Sequence, residues 1–270
     1  MGRSVRGASH VRSGLPNQDA IAWVEDADAA GGVLLAVADG HGSAKCFRSD
    51  YGARFAVEAA RSVPGRPQAA DAERVAEELV QRWRQAVRNH LCDDPIPSSA
   101  LLQVEKKLGR AARLSVEADP VLAYGSTLLV TAVSESVAFY LHLGDGDILT
   151  VSGEAEVSRP WPRDERQLGD ETTSLATRNA AREIRWRITR APEDLPALIL
   201  LSTDGYANSF RNDDGFLAVG RDLLRMLHKE GIGPITENLE CWLREASELG
   251  SGDDITVGIL WRGDQASGRE

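Results

Sequence analysis

Aspartates recur at the ends of apolar runs, most of them beside a glycine. Asp39-Gly40 follows Val33–Ala38, Asp145-Gly146 follows Val137–Leu143, and Asp204-Gly205 follows Leu198–Ser202. Asp253-Asp254 precedes Ile255–Leu260, and Asp19 precedes Ala20–Val24. If those run ends converge on one side of a sheet core, several carboxylates meet. Carboxylates in close contact repel and raise one another's pKa, so such a cluster calls for cations. All-oxygen ligands select hard ions such as Mg²⁺ or Mn²⁺. Two such ions ~3.5–4 Å apart can activate a shared water and clamp a phosphoryl group in line. Glycine beside an aspartate lets the backbone approach closely, and its carbonyl can itself ligate. A single Asp-Gly is most often a surface turn. Repetition at strand ends is what argues for a site. Asp145 and Asp147 also suggest a calcium loop, but Leu149 interrupts the alternation of oxygen ligands that such a loop needs.

The elements that must position these residues follow from hydrophobic period and turn chemistry. Residues 31–38 form a β-rich run stopped by Asp39-Gly40, which predicts a buried strand ending in a turn. A helix is expected over 43–61, closed by Pro64 and Pro67. Val75, Leu79, Trp83, Val87 and Leu91 recur every four residues, the apolar stripe of a helix over 71–91. Ser98 caps a further helix expected to reach residue 117. Strands are predicted at 126–133, 137–143, 148–151, 183–189, 197–202 and 255–261, with helices at 215–229 and 234–248. Residues 158–182 are polar, with prolines at 160 and 162, and predict a long loop or flap of functional length. The order is not the βαβ alternation of a doubly wound sheet. It fits stacked sheets with helices packed outside.

Composition narrows the class. The chain has 270 residues, 42% of them hydrophobic and 27% charged, which suits one globular domain over 1–262 with a polar tail over 263–270. A net charge of −10 with no lysine/arginine block argues against a nucleic-acid partner. No run approaches the ~18 apolar residues of a membrane span, and Met1–Leu15 lacks the apolar core of a secretory signal. The three cysteines are odd in number and far apart, which predicts a reducing, cytoplasmic setting without disulfides. No Gly-x-x-x-x-Gly-Lys-Ser/Thr loop marks a nucleotide hydrolase.

Asn17-Gln18-Asp19-Ala20, Val37-Ala38-Asp39-Gly40-His41-Gly42, Gly125-Ser126-Thr127, Leu143-Gly144-Asp145, Ser202-Thr203-Asp204-Gly205 and Gly252-Asp253-Asp254-Ile255-Thr256-Val257 stand in that order over residues 9–261. They resemble the signature blocks of the PP2C (PPM) metal-dependent protein phosphatases. Gly7–His10, Gly14–Asp19 and Gly169–Leu175 resemble a bacterial subgroup. The resemblance implies an α+β fold, an αββα sandwich of two antiparallel sheets with helices outside and the metal site at one end. It implies two Mn²⁺ or Mg²⁺ ions, with Asp39 bridging, the Gly40 carbonyl on one ion, and Asp204 and Asp253 on the first. Asp19 and Gln18 would orient metal-bound waters, Asp145 would serve a third, weaker ion, and His41 would protonate the leaving alkoxide. The nucleophile would be a bridging hydroxide, without a covalent phosphoenzyme. Partners would be a phosphoserine/phosphothreonine protein and a cognate kinase. The same fold also admits a pseudophosphatase that binds without turnover, or a phosphatase of small phosphoesters.

The chain departs from the family pattern at four places. Gln18 stands where many members have glutamate. Gly14 falls near the usual phosphate-gripping arginine, which leaves Arg12 and His10 as the nearest replacements. Asn208 replaces an aspartate associated with the third ion. Asp254 replaces a common asparagine, and either adds charge to the site or faces solvent.

Overall fold

The computed structural model describes residues 1–25, 32–64, 71–162, 173–190 and 194–263. The strands are β1 (Gly2–Val5), β2 (Ala20–Glu25), β3 (Val33–Ala38), β4 (Leu128–Val133), β5 (Ala138–Leu143), β6 (Asp147–Val151), β7 (Val157–Ser158), β8 (Arg185–Thr189), β9 (Leu198–Ser202) and β10 (Ile255–Trp261). The helices are α1 (Ala8–Ser13), α2 (Ser49–Ala60), α3 (Ala72–Asp93), α4 (Ser98–Leu108), α5 (Arg110–Ala118), α6 (Ala180–Glu183), α7 (Asp204–Ala207), α8 (Asp213–Glu230) and α9 (Ile232–Leu249). One sheet runs β1-β10-β9-β6-β7 and the other β2-β3-β4-β5-β8, with every pairing antiparallel.

The strand period of two sorts the side chains into layers. On β3, Leu34, Ala36 and Ala38 join a core with Ala53, Ala56, Leu79 and Trp83 of α2 and α3. The alternate residues Leu35 and Val37 meet Ile148, Ile199 and Leu201 of the facing sheet. Leu198 and Leu200 turn the other way, onto Leu223, Leu227, Leu239 and Leu243 of α8 and α9. Three apolar layers therefore separate four layers of secondary structure, the αββα sandwich that was expected. Both faces of the central strands are buried. Their sequences are accordingly continuous apolar runs rather than alternating ones.

Several boundaries differ from the sequence reading. β1 and α1 were not predicted: β1 is short and carries Arg3 and Ser4, and α1 buries no residue fully. The expected 43–61 helix begins only at Ser49. Residues 41–48 are held instead as a loop, through bonds such as Cys46 N–H to Ser43 O at 2.8 Å and Arg48 N–H to Ala123 O at 2.8 Å. The expected 98–117 helix is broken at Gly109, whose φ of 87° lies in the left-handed region that a side chain disfavours. The 183–189 segment is divided between the end of α6 and β8. Of the predicted 158–182 flap, residues 163–172 lie outside the described residues, among them the Gly169–Thr172 part of the subgroup block. So does the tail from 264.

Candidate metal-binding active site

Antiparallel register gathers the aspartates. Ala20 at the start of β2 faces Ala38 at the end of β3, and Leu128 at the start of β4 faces Leu143 at the end of β5. In the other sheet Ser202, the last residue of β9, pairs with both Asp147 of β6 and Val257 of β10. Asp19, Asp39, Asp145, Asp204 and Asp253 thus emerge at one end of the sandwich. Thr203 ties the two sheets there. Its Oγ1 donates to Asp19 Oδ2 at 2.8 Å and accepts from the Thr256 N–H at 2.9 Å.

Asp39 is fixed from the main chain. Its N–H donates to Thr127 Oγ1 at 3.0 Å, and its carbonyl accepts from the Thr127 N–H at 2.8 Å. Gly40 bridges Ser126 and donates its N–H to Gln18 O at 3.1 Å. The Asp39 and Asp204 carboxyls lie close enough to perturb each other, an arrangement that a shared proton or a cation would relieve. Burial raises the pKa of Asp39 well above the usual carboxylate range, and the charges of Asp19 and Asp204 raise it further. Asp19 is likewise raised by burial and then by Asp254, against the opposing bonds from Thr203 and Thr256. Burial and then Asp145 push Asp204 up to about 6. Asn208 Nδ2 donates to Asp204 Oδ2 at 3.0 Å, so the residue that departs from the family pattern holds a site carboxylate in place. The Asp253 side chain is 51% exposed and opens to solvent beside the cluster.

Three buried polar atoms at this end find no hydrogen-bond partner among the described residues: Gln18 Oε1, His41 Nε2 and Ser202 Oγ. The other end of the Gln18 amide donates to Ser49 Oγ at 2.7 Å, which fixes the direction of the free oxygen. Burial lowers the His41 pKa, opposed by Asp145 and reinforced by Lys45. All-oxygen carboxylates that repel one another, together with an unsatisfied amide oxygen, fit hard divalent cations and their waters.

Asp254 does not face solvent, and its charge bears on Asp19. It is buried, with Oδ1 accepting from the Gly7 N–H at 2.6 Å and Oδ2 from the Gln18 N–H at 2.6 Å and His10 Nδ1 at 2.8 Å. The carboxylate pins the β1–α1 loop and the Gln18 backbone to the start of β10. Asp254→Asn removes one of those acceptors and is expected to lower unfolding stability by about 1–3 kcal/mol in urea titration. Of the two replacements for the phosphate-gripping arginine, His10 has its Nδ1 engaged with Asp254, and its Nε2 is 3.8 Å from Asp253 Oδ1. Arg12 is exposed on α1 beside Gly252, the residue before Asp253.

Sequence reasoning missed Thr203, Thr127 and Ser49 as supports, although Thr203 and Thr127 lie inside the motif blocks. It also missed the reason for Gly125. A Cβ there would stand 2.8 Å from His41 Cδ2 and 2.9 Å from Cys46 Sγ, while the Gly125 carbonyl accepts the His41 N–H at 3.1 Å. Gly125→Ala is therefore expected to push the His41 ring aside and lower turnover on the order of 10²-fold while circular dichroism stays unchanged. A variant with full turnover would show that His41 needs no such placement.

The sequence profile of the protein phosphatase 2C family matches residues 6–244, and the chain belongs to that family. No curated protein sequence gives a match. Solved structures do. Serine/threonine phosphatase Stp1 from Staphylococcus aureus is 15% identical with a TM-score of 0.59, over 97% of this chain and 93% of that one. The catalytic domain of the serine threonine protein phosphatase PstP, in complex with 2 manganese ions, is 19% identical with a TM-score of 0.54, over 96% and 95%. RsbX in complex with magnesium is 13% identical with a TM-score of 0.53, over 96% and 91%. At these identities the likeness is one of fold.

Proposed function

We propose that the chain removes phosphate from phosphoserine and phosphothreonine in proteins, using two Mn²⁺ or Mg²⁺ ions. The observation that carries this reading is the convergence of Asp19, Asp39, Asp145, Asp204 and Asp253 at one end of the sandwich beside the unpartnered Gln18 Oε1 and His41 Nε2. Asp39, the Gly40 carbonyl, Asp204 and Asp253 would hold the ions, and Asp145 a third. Divalent ions supply an acidified water and neutralise phosphoryl charge when bound. Asp19, held by Thr203, and the Gln18 amide orient water. His41 delivers a proton to the departing serine or threonine oxygen through Nε2. An arriving phosphoryl dianion raises the His41 pKa that burial has lowered. Arg12, which forms no ion pair among the described residues, stands at the exposed lip beside Gly252 and would grip the phosphate.

The partners follow from the chemistry: a phosphoprotein, and the kinase that phosphorylates it. Among the described residues no helix is long and apolar enough to cross a membrane, and Cys46, Cys92 and Cys241 are free thiols, which supports a reducing compartment. The test is phosphate release from phosphoserine and phosphothreonine peptides by the Mn²⁺-loaded chain in the presence of okadaic acid. Release that resists the inhibitor is expected. Its absence with metal bound would favour a pseudophosphatase, and turnover of small phosphoesters alone would move the substrate class.

A further inference from the structure

A pocket of ≈ 400 Å³ lies against His41, on a face that the carboxylates do not line. Its size falls within the ~300–1,000 Å³ range of small-ligand sites. Its lining combines Lys45 and Ser43 with the small or apolar surfaces of Leu122 and Ala176, and includes no aspartate or glutamate among the described residues. Lys45 is exposed and forms no ion pair among the described residues. The next basic residue, Arg48, is buried and committed to Asp94 and the Tyr124 hydroxyl. In a chain of net charge −10, an ammonium and a pocket lining that both lack a carboxylate partner among the described residues are a local exception. It would draw in an anion that the rest of the surface repels.

His41 separates this pocket from the cluster. It stands two residues after Asp39 and also lines the pocket. A histidine that protonates the departing oxygen stands next to the leaving peptide, so a pocket that it lines is within that peptide's reach. We infer that Lys45 and this pocket read the peptide flanking the phosphorylated residue, and favour substrates with a carboxylate side chain close to the scissile phosphoester. The inference rests on the phosphoprotein reading above. It assigns Lys45 to substrate selection, separate from the scissile phosphate itself.

The test uses two phosphothreonine peptides that differ only in carrying glutamate or glutamine at the flanking positions. kcat/KM is measured for the Mn²⁺-loaded wild type, Lys45→Gln and Lys45→Glu. An exposed pairing predicts that wild type prefers the glutamate peptide about threefold, a ratio that shrinks as salt is raised. Lys45→Gln is expected to bring the ratio near one, and Lys45→Glu to invert it. The ratio divides out any general loss of activity in a variant. Equal ratios in all three proteins, or no preference in wild type, would overturn the inference and leave the phosphatase reading standing. A uniform loss on both peptides with the ratio kept would put the ammonium on the scissile phosphoryl group, which also overturns it. Wild type that hydrolyses p-nitrophenyl phosphate but neither peptide would remove the phosphoprotein reading, and this inference with it.

Discussion

Asp39→Asn is expected to lower metal-dependent turnover on the order of 10³-fold, because the lost charge is one that the reaction's ions depend on most. Asp39 feels the charges of Asp19, Asp204 and Asp145. The substitution keeps the shape and removes one negative charge from a crowded set. The metal-free variant should therefore melt at the same temperature as the wild type or higher, while activity collapses. That opposite movement distinguishes loss of the site from loss of the fold. Phosphate release and thermal melting of the same preparation measure both. Full activity in Asp39→Asn would contradict the assignment.

The second large effect is on stability. Ions that bind the folded chain alone stabilise it by about 2.7 kcal/mol at a hundred times their dissociation constant, so chelation is expected to lower the melting temperature by several degrees. The pH dependence of the metal-free chain has a definite sign. Asp19, Asp39 and Asp204 have folded pKa values above those of an unfolded aspartate, 3.8. Above that pH the unfolded chain releases protons that the folded chain still holds, so stability contributed by these groups falls as pH rises. For Asp204 the fall runs from about 3.8 to about 6. Saturating Mn²⁺ takes the place of those protons and should flatten this part of the curve. Melting with and without chelator between pH 4 and 7 measures it. Parallel curves would mean that the ions bind somewhere other than among these carboxylates.

The layers of the fold were legible because the central strands are apolar on both faces and stop at Asp-Gly turns. Leu34, Leu35, Ala36 and Val37 form such a run, and both halves of its alternation are buried. The site was legible for the same reason: strand ends in an antiparallel sandwich must share an edge, and the aspartates sit at those ends. What stayed hidden depends on contacts between distant segments. Residues 41–48 have helical composition but follow bonds to Ala123 and Asp94, which no local period encodes. β1 owes its place to pairing with β10, over 250 residues later. Asp254 looked like added charge or a solvated side chain. It is not solvated: it adds charge beside Asp19 and is a knot between Gly7, Gln18 and His10, set by chain segments far apart in sequence. Gly125 lacks a local signature because the side chains that exclude a Cβ there, His41 and Cys46, come from a loop some 80 residues earlier.

The most direct measurement is phosphate release from a phosphothreonine peptide by the wild-type chain, first stripped with chelator and then titrated with Mn²⁺ or Mg²⁺. The predicted result is no turnover in the stripped protein and full recovery as the ions saturate. Hydrolysis that persists without metal, or that never appears although metal binds, would contradict the account.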